Sequence, residues 1–145
     1  MTMAIRPYTY EDLEAVVAVF RSNIPKYFTP PEEQGLRDYI TEHPQNYFVG
    51  TIEDVIVACG GFALNADRTV SMCWGMVRSS HIGTGLGREL LEYRIEAARA
   101  LYGDLPLVVS TSQHTRGFYE RFGFNLIEHI PDGFSPGIDV CTMRR

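Results

Sequence analysis

No stretch of this chain is apolar for long enough to cross a bilayer as a helix: the longest run, Val55 to Leu64, is half the ~20 residues that a spanning helix needs. The N-terminus also lacks the apolar core of a signal peptide, so no membrane association and a cytoplasmic location are expected. Positive charge is scarce. Thirteen Lys and Arg against 18 Asp and Glu give a net charge of −5 and a pI near 5.3, which leaves no electrostatic footprint for nucleic acid. Cysteine is sparse too: Cys59, Cys73 and Cys141 are odd in number and lack metal-ligand spacing, so reduced thiols and no metal are expected. What is present is a 145-residue chain of 45% hydrophobic composition, enough to build one globular domain over residues 1–145.

The hydrophobic pattern changes period along the chain. Residues 3–6 read as a short strand stopped by Pro7. Thr9-x-x-Asp12 opens a helix with Leu13, Val16, Val17 and Phe20 on one stripe. After the breaker Asn23-Ile24-Pro25, Thr29, Pro30 and Glu32 form a second helix start, with Leu36, Tyr39 and Ile40 as its buried stripe. From Tyr47 the pattern is β. Strands over 47–52 and 55–64 flank the hairpin residues Glu53-Asp54, and 69–77 is a third strand with Val70, Met72, Trp74 and Met76 expected on one face.

Residues 86–101 read as a long helix, with Leu86, Leu90, Tyr93, Ala97 and Leu101 on one stripe and Leu91, Ile95 and Ala98 beside it. An apolar strand over 105–110 suits parallel pairing, and a short helix over 115–122 ends at Gly123. Two strands, 124–130 and 138–144, flank a turn over 131–137. The order is β-α-α-β-β-β-α-β-α-β-β, a mixed-sheet α/β chain.

Between the third strand and the long helix lie Ile82-Gly83-Thr84-Gly85-Leu86-Gly87-Arg88. Glycines before a helix N-terminus let backbone amides approach an anion, most naturally a phosphate. Close helix–sheet packing is the other use of such glycines. Dinucleotide-binding and nucleotide P-loop patterns both need spacings that are absent here.

Val77 followed by Gly83-Thr84-Gly85-Leu86-Gly87-Arg88-Glu89-Leu90-Leu91, with Phe118-Tyr119-Glu120-Arg121-Phe122-Gly123-Phe124 some thirty residues later, resembles the GNAT superfamily of acyl-CoA-dependent N-acetyltransferases. The opening from Ile5-Arg6-Pro7 to Asp12-Leu13 resembles that family's first strand and helix. The resemblance implies the GNAT fold, with its sheet splayed at the centre, and acetyl-CoA as co-substrate. It assigns the coenzyme A pyrophosphate to the backbone of Ile82, Gly83, Thr84, Gly85, Leu86 and Gly87, with the side chain of Arg88 or His81 adding to it, although Ile82 stands where the family carries Arg or Gln. It assigns the pantetheine arm to the backbone of Met76 and Val77, with the Val77 N–H on the oxyanion. Ser112 stands where the family often has a cofactor-contacting asparagine; a helix-entry cap is its other reading.

By the same resemblance Tyr119 is the acid facing the departing thiolate. A phenol of pKa about 10 protonating a thiolate of pKa about 8.5 is uphill by roughly 2 kcal/mol, so hydrogen-bond stabilisation is the simpler role. The base is not marked by a strand carboxylate, since residues 69–77 contain none. Glu33, His114 or a water chain remain, and Cys73 is either an acyl carrier or a buried strand thiol. Tyr27 and Phe28 either line an acceptor pocket or plug the gap between two helices, and Trp74 is expected to enclose the acceptor from the strand. The expected activity is direct transfer of an acetyl group to a primary amine of a small molecule or peptide. A domain that binds acyl-CoA without turnover is the alternative. The family resemblance also allows a homodimer.

Overall fold

The structure, a computed structural model, describes residues 2–145. Strand β1 (Ala4–Pro7) leads through a 3₁₀ turn at Tyr10–Asp12 into helix α1 (Leu13–Arg21). Here Asp12 accepts hydrogen bonds from the Thr9 N–H and hydroxyl, as the Thr-x-x-Asp spacing requires, and takes both guanidinium arms of Arg6 at 2.7 and 2.9 Å. Helix α2 (Glu33–Glu42) repeats the device, with Glu32 accepting from the Thr29 N–H and hydroxyl and Pro30 in the first turn.

Strands β2 (Tyr47–Ile52) and β3 (Val55–Leu64) form a hairpin whose corner residues, Glu53 and Asp54, both have positive φ, the geometry that matches strand twist. Then follow β4 (Val70–Val77), α3 (Leu86–Tyr102), β5 (Leu107–Thr111), α4 (Arg116–Glu120), β6 (Asn125–Ser135) and β7 (Ile138–Arg144). The seven strands make one sheet in the order β1-β2-β3-β4-β5-β7-β6. Only β4 and β5 run parallel, and every other pairing is antiparallel.

The two faces have separate cores. Val16, Val19 and Phe20 of α1 and Leu36 and Ile40 of α2 pack on Tyr47, Val49, Cys59 and Met76. On the other face Leu91, Ile95 and Ala98 of α3 and Tyr119 of α4 pack on Phe62, Val70, Met72 and Val109. Leu86 and Leu90 add a smaller cluster against Val57 and Ala58. Each such fully buried leucine contributes about 1.5–3 kcal/mol.

Three sequence expectations are corrected. Strand β4 does not keep Val70, Met72, Trp74 and Met76 on one face: Val70 and Met72 lie under α3, whereas Trp74 and Met76 join the α1–α2 core. An extra residue causes the switch. Gly61 pairs with Cys73 and Cys59 with Met76, so Gly60 alone faces Trp74 and Gly75, and this bulge reverses the alternation. On α3, Tyr93 and Leu101 are exposed, and the buried stripe is Leu86, Leu90, Arg94 beside Leu91, Ile95, Ala98. Finally, residues 131–135 are not turn. Strand β6 continues through them with a register irregularity to pair Ser135 with Ile138.

Candidate active site

Strands β4 and β5 pair only at Val70 with Leu107 and Ser71 with Val108, then part. The gap opens into a cleft of about 990 Å³ lined by both strands, α3, α4 and the segment after α1. Its wall includes Tyr27, Phe28, Trp74, Met76, Val77, Ile82, Gly83, Gly85, Gly87, Arg88, Ser112 and Tyr119, which brings nearly all the sequence-marked residues together.

At one end stands the glycine loop. Gly83 and Gly85 have φ of 86° and 89°, and a Cβ on either would meet nothing within 4 Å, so conformation and not crowding calls for glycine there. Gly87 is different: a Cβ would lie 3.4 Å from Phe118 of α4 and 3.6 Å from Val77 of β4, both ordinary contacts. Helix α3 starts with no capping side chain, so the first amides, at Leu86, Gly87 and Arg88, have no intrahelical acceptor. Thr84 turns its hydroxyl back to the His81 carbonyl, and Ile82 is 46% exposed. Amides of this kind at a helix N-terminus fit a pyrophosphate.

Val77 supplies the next part of the wall. The Arg78 N–H donates to Val57 O while Val77 stands opposite Ala58; in an antiparallel ladder this turns the Val77 N–H and C=O away from β3, towards the opening. Asn23, buried at the end of α1, donates to the Val77 carbonyl at 3.0 Å, leaving the N–H as the group offered. By the same alternation Met76 turns its backbone to Cys59, so it lines the cleft without presenting the backbone groups that the resemblance assigned to it.

Tyr119 is held by edge-to-face contacts with Phe118 and Phe124 at 5.1 and 5.4 Å, is 7% exposed, and lines the cleft. Ser112 is buried. Its hydroxyl accepts the His114 N–H and its carbonyl accepts from Thr115 and Arg116, so it shapes the entry to α4 as well as lining the cleft.

The opposite end is aromatic. Trp74 takes φ of 46° at the bulge, stacks on Phe28 at 5.9 Å and meets Phe20 edge-on at 6.5 Å. Such a conformation for a bulky residue is held by its surroundings. Tyr27 stands edge-on to His114 at 6.0 Å, joining the segment after α1 to the loop before α4.

The titratable groups separate clearly. Glu33 is corrected as a candidate base: it lies outside the cleft wall, Arg21 grips both its oxygens at 2.7 and 2.9 Å, Arg37 adds a contact at 3.1 Å, and these bonds hold its carboxyl below the ordinary range. Burial pushes the Cys73 thiol up and it donates to Ser71 O, so it is no ready nucleophile. His114 lines the cleft, as does Glu32, which sequence reading marks only as a cap. Arg94, 3% exposed, is the buried polar residue of the wall that the helical pattern hides.

The acetyltransferase (GNAT) family profile matches residues 13–124. A GNAT-family protein from Desulfovibrio desulfuricans superposes with a TM-score of 0.78 at 28% identity, covering 99% of this chain and 98% of that one. Ard1 from Thermoplasma volcanium is similar in fold, with a TM-score of 0.84 at 19% identity over 100% of this chain and 97% of that one. YncA from Salmonella typhimurium, solved with acetyl-CoA, gives 0.77 at 18% identity over 100% and 94%. No curated protein matches the sequence. The parted strands, the glycine loop and a family match across most of the chain agree, and the chain belongs to the acetyltransferase (GNAT) family.

Proposed function

We propose that this protein transfers an acetyl group from acetyl-CoA to a primary amine of a small molecule or peptide, by direct attack in a ternary complex. The observation that carries the reading is the opening between β4 and β5, whose wall includes Val77, Tyr119 and the uncapped start of α3. The residues fit coenzyme A. Amides from Gly83 to Arg88 would hold the pyrophosphate, with Arg88 and His81 beside them, and the arm would lie along Val77 as an added strand does. The site at its inner end is the place for the thioester.

In the reaction a C–N bond forms at the thioester carbonyl, the C–S bond breaks, the amine loses a proton and the sulfur gains one. The Val77 N–H faces the developing oxyanion and Tyr119 supports the sulfur. An alkylammonium of pKa about 10.4 is only ~1 part in 10³ to 10⁴ free amine at neutral pH, roughly 4–5 kcal/mol that the site must offset. Glu32 and His114, both in the cleft wall and His114 beside Tyr27, are the groups that would receive its proton, directly or through water. Tyr27, Phe28 and Trp74 would enclose the acceptor's carbon frame. The exposed apolar residues Ile127, Ile130 and Phe134 on edge strand β6 support a homodimer, which sedimentation would check.

The test is thiol release from acetyl-CoA across a panel of amines. Release above background with at least one amine supports the reading. Binding of acetyl-CoA in calorimetry with no release for any amine overturns it in favour of a domain that binds acyl-CoA without turnover.

A further inference from the structure

Arg94 occupies a position where α3 would ordinarily place a leucine. It continues the Leu86–Leu90 stripe against the sheet, and two glycines on facing strands make the room. A Cβ on Gly75 would come 2.5 Å from Arg94 Nη2, and one on Gly60 would come 3.0 Å from Cζ. The guanidinium therefore lies directly beneath the bulge of β4. Of its five N–H donors, Nη1 gives one to the Gly61 carbonyl at 3.0 Å. Nε is wholly buried and has no partner. Among the described residues no carboxylate lies within ion-pairing distance of it.

A buried, unsatisfied charge is not needed to fill this space. A methionine has similar length and would pack beneath two glycines without desolvating a cation, and replacing buried charge by apolar volume is commonly neutral or stabilising. The fork of a guanidinium with vacant donors matches a carboxylate or a phosphate; with the phosphates of the donor held at the glycine loop, the group left for Arg94 is a carboxylate.

The side of the sheet tells which carboxylate. Arg94 lines the cleft from α3, the helix whose first amides form the donor loop, whereas Trp74 and Phe28 belong to the α1–α2 face. A donor anchored from Gly83 to Arg88 passes Val77 first. Gly75 lies two residues further in along β4, so the acyl group is the part of the donor that comes to the level of Arg94.

We propose that Arg94 is a carboxylate-binding subsite for the acyl group, and that the preferred donors are coenzyme A thioesters of short dicarboxylic acids. The proposal rests on the acyl-transfer reading above and names its donor class. Acetyl is then the smallest acyl group that the cleft takes, and it leaves the guanidinium unpaired. The chemistry keeps its balance: the C–N bond forms at the thioester carbonyl, the C–S bond breaks, free thiol leaves, and the distal carboxylate is carried unchanged into the amide product.

The experiment compares succinyl-CoA with butyryl-CoA, which matches its chain length without the charge, and malonyl-CoA with propionyl-CoA, on the intact protein. Both binding by calorimetry and turnover with amines are measured, using acceptors with and without a carboxylate. One charged donor of these pairs should exceed its uncharged partner by roughly tenfold or more, the worth of a charge-assisted hydrogen bond. In Arg94→Met that ratio should fall to near one, and in Arg94→Lys it should be partly kept.

A wild-type protein that favours the uncharged donors overturns the proposal. So does a Met variant that weakens all donors equally with the ratio kept, or a charge preference that follows the acceptor instead of the acyl group. Should Arg94→Met fail to fold, the wild-type ratios decide alone. Failure of the acyl-transfer reading is separable, because calorimetry measures the donor preference whether or not any amine is acylated.

Discussion

The Tyr47 hydroxyl donates to the Trp74 carbonyl at 3.0 Å, and so a buried residue of β2 fixes the peptide at which β4 bulges. The bulge sets which side chains reach the cleft. Tyr47→Phe removes one hydrogen bond and leaves a carbonyl unsatisfied, which should cost about 1–3 kcal/mol. Thermal unfolding checks the stability, and quenching of Trp74, the chain's single tryptophan, reports whether its ring loosens from Phe28.

Tyr119→Phe deletes only a hydroxyl, and the ring contacts with Phe118 and Phe124 stay. If the hydroxyl stabilises the departing thiolate by a hydrogen bond, its loss should lower kcat by about 10- to 100-fold. Turnover unchanged across the pH range would remove Tyr119 from the mechanism.

The glycine loop gives a paired comparison. Gly85→Ala forces an alanine to φ near 89°, a penalty of about 1–2 kcal/mol, and should raise the KM for acyl-CoA. Gly87→Ala meets only ordinary contacts at 3.4 and 3.6 Å and should raise it less. Equal effects would show that the loop conformation does not matter for the donor.

Cys73→Ser should retain turnover, and mixing the native protein with acyl-CoA alone should give no acylated protein in intact mass spectrometry. Burial pushes the thiol up, so it stays protonated at neutral pH. An acyl adduct mapped to Cys73 would replace direct attack by a two-step transfer.

Acid should loosen the first helix. The hydrogen bond from Arg6 holds the Asp12 carboxyl below its ordinary value, against the effect of burial, with Thr9 adding to it. A carboxyl whose folded pKa is depressed contributes stability in full above its unfolded value of about 3.9, and that stability is lost as pH falls through the folded value. Asp12→Asn should therefore destabilise the protein by about 1–2 kcal/mol at neutral pH, and the difference from wild type should shrink below about pH 4. Denaturant unfolding at pH 7 and pH 3 measures both.

What was legible in the sequence was the locally determined part. The caps at Thr9 and Thr29, the corner at Glu53-Asp54 and the bounds of β2, β3 and β7 each depend on residues a few positions apart. The glycines before α3 were marked by their own spacing and Tyr119 by family resemblance, and all of them line the cleft. The bulge was hidden because it is a count of residues between two strands: nothing in Cys73-Trp74-Gly75 alone says that Gly60 will face two of them. Arg94 was hidden for a related reason. An arginine on a helix is ordinarily solvated, and the space that buries it is made by glycines on β3 and β4. Glu32 was legible as a cap, but the cleft beside it exists only once β4 and β5 part.

That parting has one more consequence. A sheet normally exposes unpaired N–H and C=O groups only along its outermost strands, β1 and β6 here, yet this one carries two further edges in its middle, along the separated parts of β4 and β5. Each is a template for an extended chain. A coenzyme A bound between them, as proposed, would act as a stopper against intrusion by a neighbouring polypeptide, so concentrated protein should resist aggregation better with coenzyme A than without it.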